Sequence, residues 1–321
     1  MRFVALLPLP LVLAAACGDD DGSTGSSTSS SSSTTSSSTS SSTTSSTTSS
    51  TTSSTSTGTG GAGGGLMMIE VPFAAKVGAE TFDCAQTYTG LGTSDASATI
   101  TDFRFYVHDV MLHDENHNEV PLELEQDGLW QYENVALLDF ENKTGACANG
   151  TTETRAFVRG QVPTGTYVGV SFKLGVPAEL NHLDTAQAPS PLNLTALFWA
   201  WTSGYKFLRV DSVAMGGAGP FNLHLGSTGC VGDPAMGEMV TCANPNVAQI
   251  EFHAFDFAND VIVADYAAAV ADSDLLTDGG GAPGCMSGGM DPECAPIFPN
   301  LGLDLASGDP APNLLTFFRV E

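Results

Sequence analysis

Basic residues are scarce in this chain. Only 10 Lys and Arg stand against 36 Asp and Glu, for a formal net charge of -26. A polyanion of this kind is repelled by nucleic acid and by anionic membrane surfaces, so neither is expected as a binding partner. No apolar run is long enough to span a bilayer as a helix. The sequence holds no C-x-x-C pair, no H-E-x-x-H and no G-x-S-x-G elbow, and Gly226-Ser227-Thr228-Gly229 lacks the lysine of a phosphate loop. These absences exclude the common thiolate-metal and hydrolase signatures. No nucleophile–base pair stands out, and the chain is read as non-enzymatic. Lys is sparse while Gly is plentiful, which disfavours a helical bundle.

What is present begins with an address. A single Arg, a short apolar run and Leu13-Ala14-Ala15-Ala16 precede Cys17. The pattern is that of a bacterial lipoprotein signal, so residues 1–16 are expected to be removed and Cys17 to become the acylated first residue. A lipid on Cys17 would anchor an exported protein in the outer membrane, on its periplasmic or cell-surface side. Residues 17–65 are almost purely Ser, Thr and Gly. They have too little apolar surface to offset the entropy of ordering, and a disordered tether is expected there. The folded domain is expected over residues 66–321.

Within that domain, short alternating runs recur between turn signals. Met67–Lys76, Ile100–His113, Trp130–Phe140, Phe207–Val210, Val247–Phe257, Asp260–Val263 and Leu314–Val320 all read as strands. Phe103, Phe105 and Val107 share one parity, and Arg104, Tyr106 and His108 the other, as in a half-buried strand. Ala156–Leu174 reads as a hairpin around Pro163-Thr164-Gly165. Tyr266–Ala271 is the only good helical stretch. The fold expected is all-β, an antiparallel β-sandwich with long loops. Six cysteines remain after Cys17: Cys84, Cys147, Cys230, Cys242, Cys285 and Cys294. An even set in an exported chain implies disulfides, with fifteen possible pairings. The near pairs Cys230/Cys242 and Cys285/Cys294 are plausible local bridges, which leaves Cys84 with Cys147.

The chain is organised around Pro191–Arg209, which holds Trp199 and Trp201. In an extended strand these two indoles share a face. Two histidines flank the stretch: His182 in a loop before it and His224 just after it. Neutral imidazole suits copper and zinc. Asp184 is placed to fix the tautomer of His182, and His108 is a weaker third ligand candidate. His113 and His117 lie in a charged turn and are expected to be solvated, whereas His253 is open to either reading.

The segments R-F-Y-V-H-D-V (104–110), L-L-D-F-E-N (137–142), L-G-V-P-A-E-L-N-H (174–182), P-L-N-L-T-A-L-F-W-A-W-T-S-G-Y-K-F (191–207) and H-L-G-S-T-G-C (224–230) together resemble the MbnP family. The resemblance spans about Leu66 to Asp265. It implies an exported, β-rich protein that binds a single Cu(I) and pairs with a di-haem peroxidase-like partner, MbnH. It further implies that the partner converts Trp199, the first Trp of W-x-W, to kynurenine. Modified Trp199 is then expected to hold copper with His182 and His224, with Trp201 beside the site. The four family cysteines fall on Cys84, Cys147, Cys230 and Cys242. Cys285 and Cys294 lie in a Gly-rich insertion, Gly279–Pro299, that looks peculiar to this member. The competing expectation is a metal-free surface module of the same fold that binds a protein or glycan.

Overall fold

The computed structural model describes residues 65–200, 202–233 and 236–321. The signal peptide, Cys17, nearly all of the tether and Trp201 lie outside the described residues.

Two sheets face each other across an aromatic core. The smaller is built on Leu66–Val77, in which Val71, Phe73, Ala75 and Val77 alternate inward at the period of a strand. Phe157–Pro163 pairs antiparallel with its first half, and Ile262–Asp265 pairs parallel with its second. Phe318–Val320 closes that edge. The larger sheet is built on the 19-residue strand Ala96–Asp114. Rings from the two layers meet edge to face: Phe73 lies 6.1 Å from Phe105 and 5.4 Å from Phe172, and Phe318 lies 5.5 Å from Phe105. Burying each such ring contributes about 1.5–3 kcal/mol. Pairing is antiparallel except for Leu66–Val77 with Ile262–Asp265 and Pro220–Leu225 with Gly284–Cys285. The expected sandwich is therefore present, in mixed sheets.

One edge of Ala96–Asp114 positions the site. Residues 107–114 pair there with Tyr167–Leu174, and residues 98–105 with Leu208–Ala214. The chain between those two partners leaves and returns at one residue. Gly175 N donates to Tyr106 O at 2.9 Å, and Tyr106 N donates to Phe207 O at 2.8 Å. The loop Val176–Lys206, which carries His182 and Trp199, is thus closed at its base. It is also tied down along its length: the Tyr106 hydroxyl donates to Pro191 O, and the Tyr205 hydroxyl to Leu192 O. The Ser190–Pro191 bond between these anchors is cis.

Several local expectations change. Phe157–Pro163 and Tyr167–Leu174 are not a hairpin: the first pairs in the small sheet, the second in the large one, so the Pro163-Thr164-Gly165 turn carries the chain from one layer to the other. The Trp130–Phe140 run breaks into Gln131–Tyr132 and Val135–Asp139. Arg104, Tyr106 and His108 are as buried as Phe103 and Phe105, because the loop covers their face. A second helix, Cys294–Asn300, occupies the insertion. His113 is buried rather than solvated, at 2% exposure. The three disulfides pair as Cys84–Cys147, Cys230–Cys242 and Cys285–Cys294.

Candidate metal centre

On the face of the large sheet away from the aromatic core, ionisable residues line up across neighbouring strands. Strand register places Asp139, Arg104, Arg209 and His224 in one row, and Asp102, Asp211 and Asn222 in the next. Opposite charges therefore alternate along each strand, as Asp102 with Arg104 and Arg209 with Asp211, while like charges face each other across these two strands. The Arg104 guanidinium forks onto Asp102, with Nε 2.8 Å from Oδ1, and reaches Glu141 at 3.7 Å. Arg209 bridges Asp102 at 3.1 Å and Asp211 at 2.6 Å. Asp211 then accepts from His224 Nε2 at 2.5 Å.

This last contact sets the chemistry of His224. Burial works to raise the Asp211 pKa, but the His224 bond and the nearby charges outweigh it and hold the carboxyl at about 2. Burial lowers the His224 pKa, only partly opposed by Asp211. The pair is an anionic carboxylate with a neutral imidazole. Asp211 can only accept, so Nε2 carries the proton and Nδ1 carries the lone pair. That Nδ1 is buried and has no hydrogen-bond partner among the described residues. An orphaned buried acceptor is costly unless something occupies it, and a neutral imidazole lone pair of this kind fits a metal ion.

Trp199 is the aromatic neighbour of that ring. It sits half-buried on the short strand Phe198–Ala200, with its ring centroid 6.4 Å from that of His224. Gly226 makes the approach possible: a Cβ there would stand 2.5 Å from Trp199 Cζ3 and 2.6 Å from Tyr205 O. The indole borders an open hollow of about 380 Å³ lined also by Ser227, Cys230 and Met286.

His182 lies in an adjoining hollow of about 670 Å³. Ser227 lines both hollows, and the Cys230–Cys242 bridge contributes one cysteine to each. The His182 ligand nitrogen and both bridge sulfurs lie within 4.8 Å of one another. Asn181 pins this corner. Its Oδ1 accepts from Tyr205 N at 2.9 Å, and its Nδ2 lies 3.1 Å from Ser227 Oγ and 3.2 Å from His182 Nε2. Gly204 is required opposite it: φ is +74° and a Cβ would meet Asn181 Oδ1 at 2.4 Å.

The other expected residues are placed differently. Asp184 is exposed and closes its own turn, accepting from Ala186 N and Gln187 Nε2, so the polar side chain on His182 Nε2 is that of Asn181. His108 borders a third hollow, of about 280 Å³, which shares no lining residue with that of Trp199. Neither of its ring nitrogens makes a hydrogen bond among the described residues, although Nδ1 is 3.2 Å from Asp109 Oδ2. Burial, with Asp109 opposing, lowers its pKa to about 4. The fold therefore favours neutral His108, and its contribution to stability is whole above about pH 6.5 and lost as pH falls toward 4. Wild type is expected to lose about 3 kcal/mol more than His108→Leu between pH 7 and pH 4, measured by urea unfolding of both proteins at both pH values.

Sequence reasoning missed Asp211, Asn181 and Ser287. The last comes from the insertion: its hydroxyl donates to His224 O at 2.8 Å and accepts from Gly226 N at 2.8 Å. Arg209 and Asp211 do share strand parity, and that was readable. Their meeting with His224 depends on register between strands, which the sequence does not print.

Comparison with known proteins agrees with this architecture. The family model described as MbnP matches residues 67–287. Among solved structures, MbnP from Methylosinus trichosporium is 30% identical, with a TM-score of 0.73, covering 80% of this chain and 98% of that one. No curated protein matches. With most of the folded residues inside the family match and the aligned structure covered almost end to end, the chain belongs to the MbnP family.

Proposed function

We propose that this protein is a non-enzymatic, exported copper-binding protein. It holds one Cu(I) between His224, His182 and a kynurenine made from Trp199 by a di-haem partner of the MbnH type. A lipid on Cys17 anchors it at the outer membrane, and its role is in copper homeostasis. The observation that carries this reading is the buried Nδ1 of His224, without a hydrogen-bond partner among the described residues, beside a half-buried indole, with Nε2 already committed to Asp211.

Copper(I) takes few ligands and accepts imidazole and other soft or borderline donors. Asp211 fixes the His224 tautomer, in the way that outer carboxylates orient metal-bound histidines. Asn181 offers an N–H to the single lone pair of His182 Nε2, so copper at that nitrogen would displace this hydrogen bond. The hollow at Trp199 gives an oxidant access to the indole edge. Oxidation removes four electrons and four protons, places an oxygen from water on each of C2 and C3, and breaks the bond between them; the partner supplies the oxidising equivalents that accept the electrons. Hydrolysis then releases C2 as formate and frees an aryl amine. The net change is the loss of one carbon and the gain of one oxygen.

The test is coexpression with and without the di-haem partner, followed by peptide mass and copper analysis. With the partner, the peptide holding Trp199 is expected to show that net change, and the protein to retain one copper; Trp199→Phe is expected to show neither. An unmodified, copper-free protein after coexpression would replace this reading with that of a surface binding module.

A further inference from the structure

We infer that the far edge of the large sheet carries a second metal site, for a divalent cation such as Zn2+, built from His113, Glu251 and His253. It is independent of the copper reading, since none of the three borders the hollows of Trp199 or His182.

Strand register assembles it. His113 pairs with Gly169, and Glu251 with Ser171, across three adjacent strands. His253 follows directly on the Ala248–Phe252 strand. Gly169 has no side chain, and the two imidazoles stand on either side of it with centroids 6.3 Å apart. A Cβ at Gly169 would come within 3.0 Å of His113 Nδ1, so the glycine keeps that nitrogen open. Glu251 Oε1 lies 3.9 Å from His113 Nδ1 and 3.3 Å from His253 Nδ1. The three donor atoms lie within 4.8 Å of one another.

Donors around a tetrahedral Zn2+ stand about 3.4 Å apart, from bonds of about 2.1 Å. Closing the cluster therefore needs only modest side-chain movement, and the residues are suited to it. His113 is buried and fixed: its Nε2 lies 3.0 Å from Ser171 Oγ. That contact is the supporting hydrogen bond a metal-bound histidine ordinarily makes through its other nitrogen. His253 and Glu251 are 73% and 40% exposed, free to close on the fixed ring. Glu119 approaches from the Nε2 side at 4.0 Å and adds negative charge. Two imidazoles and one carboxylate select a borderline cation such as zinc over calcium or magnesium, which prefer all-oxygen sites. Three protein donors leave a coordination position for water or for a group from another molecule.

The experiment uses the full chain carrying His182→Ala and His224→Ala, so that failure of the copper reading does not confuse the result. Zn2+ is titrated in competition with a chromophoric chelator, and Co2+ binding is followed by its visible bands. One zinc per chain is expected, with the band intensity of four- or five-coordinate cobalt. His253→Ala and Glu251→Gln, both at exposed positions, are each expected to weaken Zn2+ by about tenfold or more and to bleach the cobalt bands. Zinc affinity unchanged in both variants, or no zinc bound before they are made, would overturn the site.

Discussion

His224→Ala is expected to abolish copper retention while leaving the far-UV circular dichroism unchanged. The side chain lies at the end of the charged rows, not in the aromatic core, so its loss leaves Asp211 still paired with Arg209 at 2.6 Å. What disappears is the buried lone pair beside Trp199. Asp211→Asn separates support from ligation. An amide at that position no longer enforces a proton on Nε2, and copper affinity is expected to fall about 10- to 100-fold rather than vanish. Both proteins should be coexpressed with the di-haem partner and assayed for bound copper and for modified Trp199. Full copper occupancy in His224→Ala would remove this histidine from the ligand set. Unmodified Trp199 in Asp211→Asn would instead place the charged rows upstream of the oxidation.

Asp102→Ala is expected to lower the unfolding free energy by about 2–3 kcal/mol, the loss of charged hydrogen bonds to two buried cations that each keep one other carboxylate. Asp102 is 2% exposed and serves two guanidiniums at once, with Arg104 Nε at 2.8 Å and Arg209 Nε at 3.1 Å. After its removal Arg104 keeps Glu141 at 3.7 Å, and Arg209 keeps Asp211. A guanidinium does not lose its proton inside a protein, so neither cation can escape by deprotonating. Exposed ion pairs contribute about 1 kcal/mol or less. A loss below that limit in urea unfolding would mean that the row is solvated in solution and that His224 is not held by a rigid frame.

The period-two alternation of Phe103, Phe105 and Val107 was legible, and those residues are in the core as expected. The opposite parity misled, because a half-buried strand implies a solvent-facing side, whereas Arg104, Tyr106 and His108 are all buried under a long loop. Nothing local in the sequence states that Gly175 and Phe207 both bond to Tyr106. Trp199 and His224 stood out because their motifs are unusual. Asp211 did not, since its contact with His224 exists only once two strands take a particular register. His113 was misread for a related reason: a histidine near a charged turn looks solvated, yet strand pairing sets it against Gly169 and Ser171. The Pro163-Thr164-Gly165 turn has the same signature whether it joins two strands of one sheet or passes between sheets.

That passage between layers has a kinetic consequence. The arms Phe157–Pro163 and Tyr167–Leu174 cannot zip together locally, because each waits for a partner far away in the chain: Leu66–Val77 for the first, Ala96–Asp114 and Ala248–Phe252 for the second. Loop closure must precede their hydrogen bonds, which is the topology of a slow folder. Amides in the two arms gain protection from exchange only as these distant strands pair, and the smaller sheet is unfinished until Phe318–Val320 has been synthesised.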